Sequence, residues 1–219
     1  MSDDRPFARR KRKGPPIVGL DRSSATPVLG VPPPLSPAAE AEREQWRRQV
    51  LRLYDQMAQI RLRIIIWGPA DSTSPGGKLR LSVYEWLAAA NHVPEFPEAT
   101  CAPNGTGLYV QELLQASTAD LVIAIACSPG AITEAVDASV RPAIAGKLLV
   151  LLDEEHRAGF MFKKLIENQA TGAYRVIQYA GVSTTACEVL KSSVIARAER
   201  VREKKYLKDQ GLEHDGSRS

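Results

Sequence analysis

Short apolar runs recur along this chain, and each is followed by a segment with helical periodicity. The runs are RLRIIIW from Arg61, HVPEF from His92, ADLVIAIA from Ala119, GKLLVLLD from Gly146 and AYRVIQYA from Ala173. A run of this length, apolar at successive positions, is the pattern of a strand buried on both faces. HVPEF is the weakest of the five. Between them, GGKLRLSVYEWLAAA sets Leu79, Val83, Trp86, Leu87 and Ala90 on one side of a helix. GLYVQELLQAST, AITEAVDASVRPAIA and AGFMFKKLIENQATG also read as helices. Pro142 ends or kinks the second of these, and Gly172 closes the third. Strands alternating with helices predict a mostly parallel sheet covered on both faces. The expected fold class is therefore α/β, a three-layer Rossmann-like, flavodoxin-like domain. Its five strands take the order 2-1-3-4-5, with flanking N- and C-terminal helices.

The flanks differ in kind. Residues 1–37 hold eight of the fifteen prolines and the basic run Arg9 to Lys13. Such a segment buries too little apolar surface to offset its ordering entropy, so a disordered basic tail is expected. Ser36 and Pro37 suit an N-cap and a first helical position. A helix over 38–60 follows, with Trp46, Val50, Leu53, Met57 and Ile60 on one face, to pack on the domain or on a second copy. Residues 61–182 form the Rossmann-like domain. Residues 183–219 form a long helix with a basic, fraying end.

Charge sharpens the contrast. Residues 1–36 carry seven Lys/Arg against three acids, 61–190 carry ten against thirteen, and 191–219 carry eight against five. The net charge of +4 thus reads as a property of the arms. Nucleic acid is only weakly suggested as a partner, through those arms, because binding domains usually carry the basic patch on the fold itself. No apolar run approaches the roughly 20 residues of a membrane span, and the opening residues lack a secretory pattern. Cys101, Cys127 and Cys187 are scattered, with no CxxC and no nearby histidine cluster. Neither a disulfide framework nor a metal site is expected, and a cytoplasmic location fits.

In open α/β sheets ligands sit beyond the carboxyl ends of the strands, where the strand order reverses. In the order 2-1-3-4-5 the first and third strands are neighbours. The loop WGPADSTSPGGK then lies beside CSPGAITE. In the first loop Gly68 permits close backbone approach. Asp71, Ser72 and Ser74 offer oxygens for a sugar, Gly76 and Gly77 lead into a helix N-terminus that attracts anions, and Lys78 adds charge. The alternative is that these glycines only build a turn. Neither GxxxxGK[ST] nor GxGxxG is present, which argues against ATP hydrolysis and NAD redox chemistry. No cofactor is expected. In the second loop Ser128 reads as an N-cap, Pro129 as the first helical residue, and Gly130 leaves access open. Glu134, one to two turns on, can act at the anomeric carbon of a nucleoside, bind ribose hydroxyls, or simply favour the helix dipole. His92 is expected to be structural. His156 is read as a loop residue able to line the pocket, and Cys127 as an unlikely nucleophile.

IIIWGP with its Gly/Ser-rich loop, and ADLVIAIACSPGAITEAV, resemble the corresponding segments of nucleoside 2-deoxyribosyltransferases. They are similar, too, to SLOG nucleotide-binding proteins and to the TIR domains that cleave NAD. The resemblance covers roughly residues 61–180. It implies a Rossmann-like fold, a glycine-proline pair at Gly68 and Pro69, a second-loop glycine at Gly130, and a catalytic glutamate at Glu134. Asp71 and Tyr109 are candidates for the supporting aspartate and tyrosine. The fuller glycine signature of the SLOG phosphoribohydrolases is reduced here to Pro-Gly-Ala-Ile-Thr-Glu. Two readings follow. One is an enzyme cleaving or transferring at the N-glycosidic bond of a nucleoside, nucleotide or NAD-like molecule. The other is a non-catalytic nucleotide sensor or scaffold that self-associates through its flanking helices.

Overall fold

The computed structural model describes residues 35–102, 107–170 and 174–212. Most of the expected basic tail, and the helix stop expected at Gly172, lie outside these residues. The chain divides into two compact units, residues 1–46 and 47–219.

The first unit holds the start of helix α1 (Pro37–Ala58). The Ser36 hydroxyl accepts from the Ala39 N–H at 3.3 Å, the capping bond that its sequence predicts. No residue of α1 is buried, and Trp46 is 69% exposed. In the second unit Val50, Leu53, Tyr54 and Met57 line a groove of about 290 Å³ with Glu203, Tyr206 and Leu207.

The rest of the second unit runs β1 (Arg63–Trp67), α2 (Pro75–Ala89), β2 (Val93–Glu95), α3 (Pro97–Thr100), α4 (Leu108–Thr118), β3 (Leu121–Ala126) and α5 (Pro129–Ser139). It continues with α6 (Pro142–Ala145), β4 (Leu148–Asp153), α7 (Phe160–Gln169), β5 (Arg175–Tyr179) and α8 (Thr184–Asp209). The sheet has five strands in the order β2-β1-β3-β4-β5, and every neighbouring pair is parallel. Pro142 does break the helix after β3, separating α5 from α6. α8 carries the basic end of the described chain. It stays helical to Asp209, where the Gln210 N–H bonds back to the Tyr206 carbonyl.

The alternation of side chains along each strand builds two cores. Ile64, Ile66, Ile123, Ile125 and Leu151 face α2 and α8, where Leu79, Val83, Leu87, Leu190 and Val194 cover them. Ile65, Trp67, Val122, Ala124 and Val150 face the other helical layer, covered by Ile132, Ala135, Phe162 and Leu165. Both faces are thus dry over Ile64 to Trp67, Leu121 to Ala126 and Leu148 to Leu152, which is why these runs are apolar without a break. Among the described residues no helix is long and apolar enough to cross a membrane.

Candidate functional site

Because β1 pairs with β3, with Trp67 level with Ala124, the loops after both strands leave the sheet side by side. The first loop is tightly tied. Gly68 has φ +150°, a region side chains disfavour, and a Cβ there would come to 3.0 Å from the Ile125 Cβ. Asp71 accepts from both the amide and the hydroxyl of Thr73, at 2.9 and 2.7 Å, and these bonds hold its carboxyl below the usual range. The Ser74 hydroxyl donates to the Asp71 carbonyl at 2.8 Å and accepts from the Gly77 N–H at 3.1 Å. A side chain on Gly77 would overlap the Asp71 carbonyl, and one on Gly76 would overlap the Cys127 sulfur. Asp71, Ser74, Gly76 and Gly77 are therefore occupied in shaping the turn and seating α2 against its neighbour. Ser72 and Lys78 are exposed.

A residue without a role in the sequence reading fixes this loop. Arg80 is 4% exposed. Its guanidinium donates to the Ile66 carbonyl at 3.1 Å and to the Pro69 carbonyl at 3.4 Å, lies 4.2 Å from the Phe96 ring centroid, and grips Glu98 with two contacts of 2.7 Å. Burial works to raise the Glu98 carboxyl, but the Arg80 bond and charge outweigh it and the net direction is down. The only sequence signal for Arg80 is an arginine directly beside the buried Leu79 on an otherwise apolar helix face.

The second loop enters α5 as expected. The Ser128 hydroxyl accepts from the Ala131 N–H at 3.3 Å, Pro129 follows, and Gly130 is exposed with open space where a side chain would stand. Glu134, on the outer surface of α5, lines a narrow cleft with Trp67, Tyr109, Glu112 and Leu113. Glu112 comes from α4. Burial, and next the charge of Glu134, push its carboxyl above the ordinary range. The Trp67 indole N–H is buried and has no hydrogen-bond partner among the described residues. Tyr109 bonds through its hydroxyl to Asp137, and Arg141 contacts both, at 3.1 Å from the tyrosine oxygen and 2.8 Å from the carboxylate. The cleft measures about 10 Å³, room for about one water.

A larger cleft of about 430 Å³ lies on the other flank of the α5 N-terminus. Pro129, Ile132, Thr133, His156, Phe160 and Met161 are among its lining residues. The His156 Nε2 lies 3.0 Å from the Cys127 carbonyl, so this histidine contacts the cysteine backbone and not its thiol. Burial, followed by the nearby Asp153 charge, pushes the Cys127 thiol up, the wrong direction for a nucleophile.

The structure thus gathers Gly68, Pro69, Ser128, Gly130, Tyr109 and Glu134 at the carboxyl edge of β1 and β3, and leaves Lys78 outside the cleft of Glu134. The sequence reading missed Glu112, Glu98 and Arg80. Among the described residues no three His, Cys, Asp or Glu side chains are grouped to hold a metal ion. Compared with known proteins, the chain matches no family model and no curated protein.

Proposed function

We propose that the chain is a nucleoside- or nucleotide-processing enzyme that cleaves or transfers at an N-glycosidic bond. The observation that carries the reading is the shared cleft of Glu134 and Glu112, beside the orphaned Trp67 N–H. Two carboxyl groups in unequal surroundings can divide an acid–base task between them. Glu112, more buried and held up by its neighbour's charge, is suited to keep a proton. In the reaction proposed, the bond between C1′ and the base nitrogen breaks and its electron pair leaves with the base. Glu112 gives that nitrogen a proton. The Glu134 carboxylate attacks C1′ or stabilises its positive charge, and water or an acceptor base then completes the transfer.

A second reading, a non-catalytic nucleotide-binding module, is favoured by the dimensions of the two clefts. The space at Glu134 admits about one water, whereas the cleft of about 430 Å³ beside Phe160 is of the size and apolar character that a base needs.

Product analysis separates the two. Wild type, Glu134→Gln and Glu112→Gln are incubated with nucleosides, nucleoside monophosphates and NAD, and released base is measured. Base released by wild type, and lost in both variants, supports the enzyme. Thermal stabilisation by the same compounds with no base released supports the binding module. Neither release nor stabilisation rules out both.

A further inference from the structure

The opposite, amino-terminal edge of the sheet carries a further concave surface. It measures about 600 Å³ and runs between the starts of β3 and β4 and the last turns of α8. Six cationic side chains line it: Lys147, just before β4, and Arg197, Arg200, Lys204, Lys205 and Lys208 of α8. Two acids share the lining, Asp120 and Asp209. Asp120 is already taken up, by Lys205 at 2.8 Å and by the Arg63 N–H at 2.9 Å. The excess of positive charge is therefore a feature of the folded domain and not only of the terminal arms, as the residue counts had implied.

Several cations are held in place rather than free in solvent. The Lys147 ammonium donates to the Ser117 and Ala119 carbonyls at 2.6 and 2.8 Å. The Arg197 guanidinium donates to the Gly146 carbonyl at 3.3 Å, while its Nε is buried with no partner among the described residues. Burial, and then the charges of Arg175 and Arg200, push the Arg197 group down, the mark of cations crowded together. An arriving anion relieves that crowding.

The row has a direction. Residues 197, 200, 204 and 208 recur at spacings of three and four on one helical face. Their span is about 16 Å at 1.5 Å per residue. One strand of a duplex offers a phosphate about every 3.4 Å along the axis, so a row of this length meets several. Among the described residues no aromatic side chain lines the surface, so these residues offer no platform for stacking bases.

We propose that this cleft binds a linear phosphate-bearing polyanion, a nucleic-acid strand or free polyphosphate, through its phosphates and without reading bases. The site is independent of Glu134 and of the function proposed above.

The test uses the full chain and a labelled mixed-sequence oligonucleotide, followed by fluorescence anisotropy across a salt series. Arg200 and Lys208 are both exposed, so Arg200→Gln with Lys208→Gln removes two contacts without opening the core. Wild type is expected to bind with an affinity that falls steeply with salt. The double variant should bind at least fivefold more weakly, and its slope against log salt should be smaller by about two. A control variant, Arg43→Gln with Arg52→Gln on α1, should bind within twofold of wild type. Inorganic polyphosphate as competitor distinguishes the sources. Tighter binding per phosphate than the oligonucleotide assigns the cleft to free polyphosphate, and weaker binding assigns it to nucleic acid. No binding by wild type at low salt, an unchanged double variant, or an equal loss in the control overturns the proposal.

Discussion

Glu112 of α4 and Glu134 of α5 share one cleft, and the charge of the second reinforces the effect of burial in lifting the carboxyl of the first. The two helices come from separate crossovers, and the sheet order alone brings them together. Replacing Glu134 by Gln removes the charge and leaves the burial. Glu112 should then titrate lower than in wild type, yet still above an ordinary glutamate, because burial is the larger cause. Carboxyl carbon shifts followed by NMR against pH measure this directly. A midpoint that does not move would show that the two groups do not interact.

Arg80 joins the end of β1 to the loop that follows it. Arg80→Ala leaves the Ile66 and Pro69 carbonyls without their donor and Glu98 without its partner. Losses of this kind cost about 2–4 kcal/mol, and urea unfolding should register a fall of that size. Arg80→Lys should recover only part of it, since an ammonium cannot reproduce the planar fork over Phe96. Glu98→Gln should cost less than Arg80→Ala, because the Glu98 side chain is 46% exposed. Equal losses for Arg80→Ala and Glu98→Gln would assign the effect to the ion pair alone.

Gly76 packs against the Cys127 side chain, the contact between the first and second loops. Gly76→Ala forces that sulfur to shift and should destabilise by about 1–3 kcal/mol. Cys127→Ala removes the sulfur, so the double variant should regain part of the loss, a coupling that a double-mutant cycle resolves. Pro69 stands at 3.0 Å from the same added carbon, so recovery should be incomplete. Strictly additive losses would show that the two loops do not press on each other here.

What the sequence makes legible, and what it hides, follows from the kind of signal each residue leaves. The three central strands are readable because burial on both faces demands unbroken apolar runs, and Ile64 to Trp67, Leu121 to Ala126 and Leu148 to Leu152 are such runs. Ser128 and Pro129 announce α5 through local capping chemistry. Asp71 and Ser74 are ambiguous in sequence because a short polar side chain in a loop serves a ligand or its own turn equally well, and the structure adds that both bond within the turn. Glu112 and Arg80 leave no local pattern. A charged residue on a helix looks like a solvated one until the tertiary fold turns it inward. The basic cleft was hidden for a related reason. Five of its six cations lie on α8, within the basic C-terminal arm of the sequence, and only the packing of α8 across the starts of β3 and β4 sets them beside Lys147.

His92, at the start of β2, gives the fold a dependence on pH. It is 2% exposed, with its Nδ1 3.5 Å from the Leu62 N–H and the Arg202 guanidinium 3.3 Å from both ring nitrogens. Glu199 stands 3.8 Å from Nε2, and Asp120 also faces the ring electrostatically. Burial first, and then the Arg202 charge, lower the imidazole from 6.5 to about 4, with Asp120 opposing. The folded protein therefore holds His92 neutral, while the unfolded chain takes up a proton at about pH 6.5. Between pH 6.5 and about 4 the unfolded state binds more protons, so stability falls as the pH falls through that window. The loss approaches about 3 kcal/mol by pH 4, at about 1.4 kcal/mol for each pH unit, and His92 contributes nothing further below that pH. His92→Asn keeps an acceptor for the Leu62 N–H but cannot titrate. It should be less stable than wild type at pH 7, because it leaves space in the core, and its stability should change less between pH 6.5 and 4. Urea unfolding of both proteins across this range reads the difference in slope. Parallel curves would show that the acid sensitivity comes from other groups, and that His92 is simply packed.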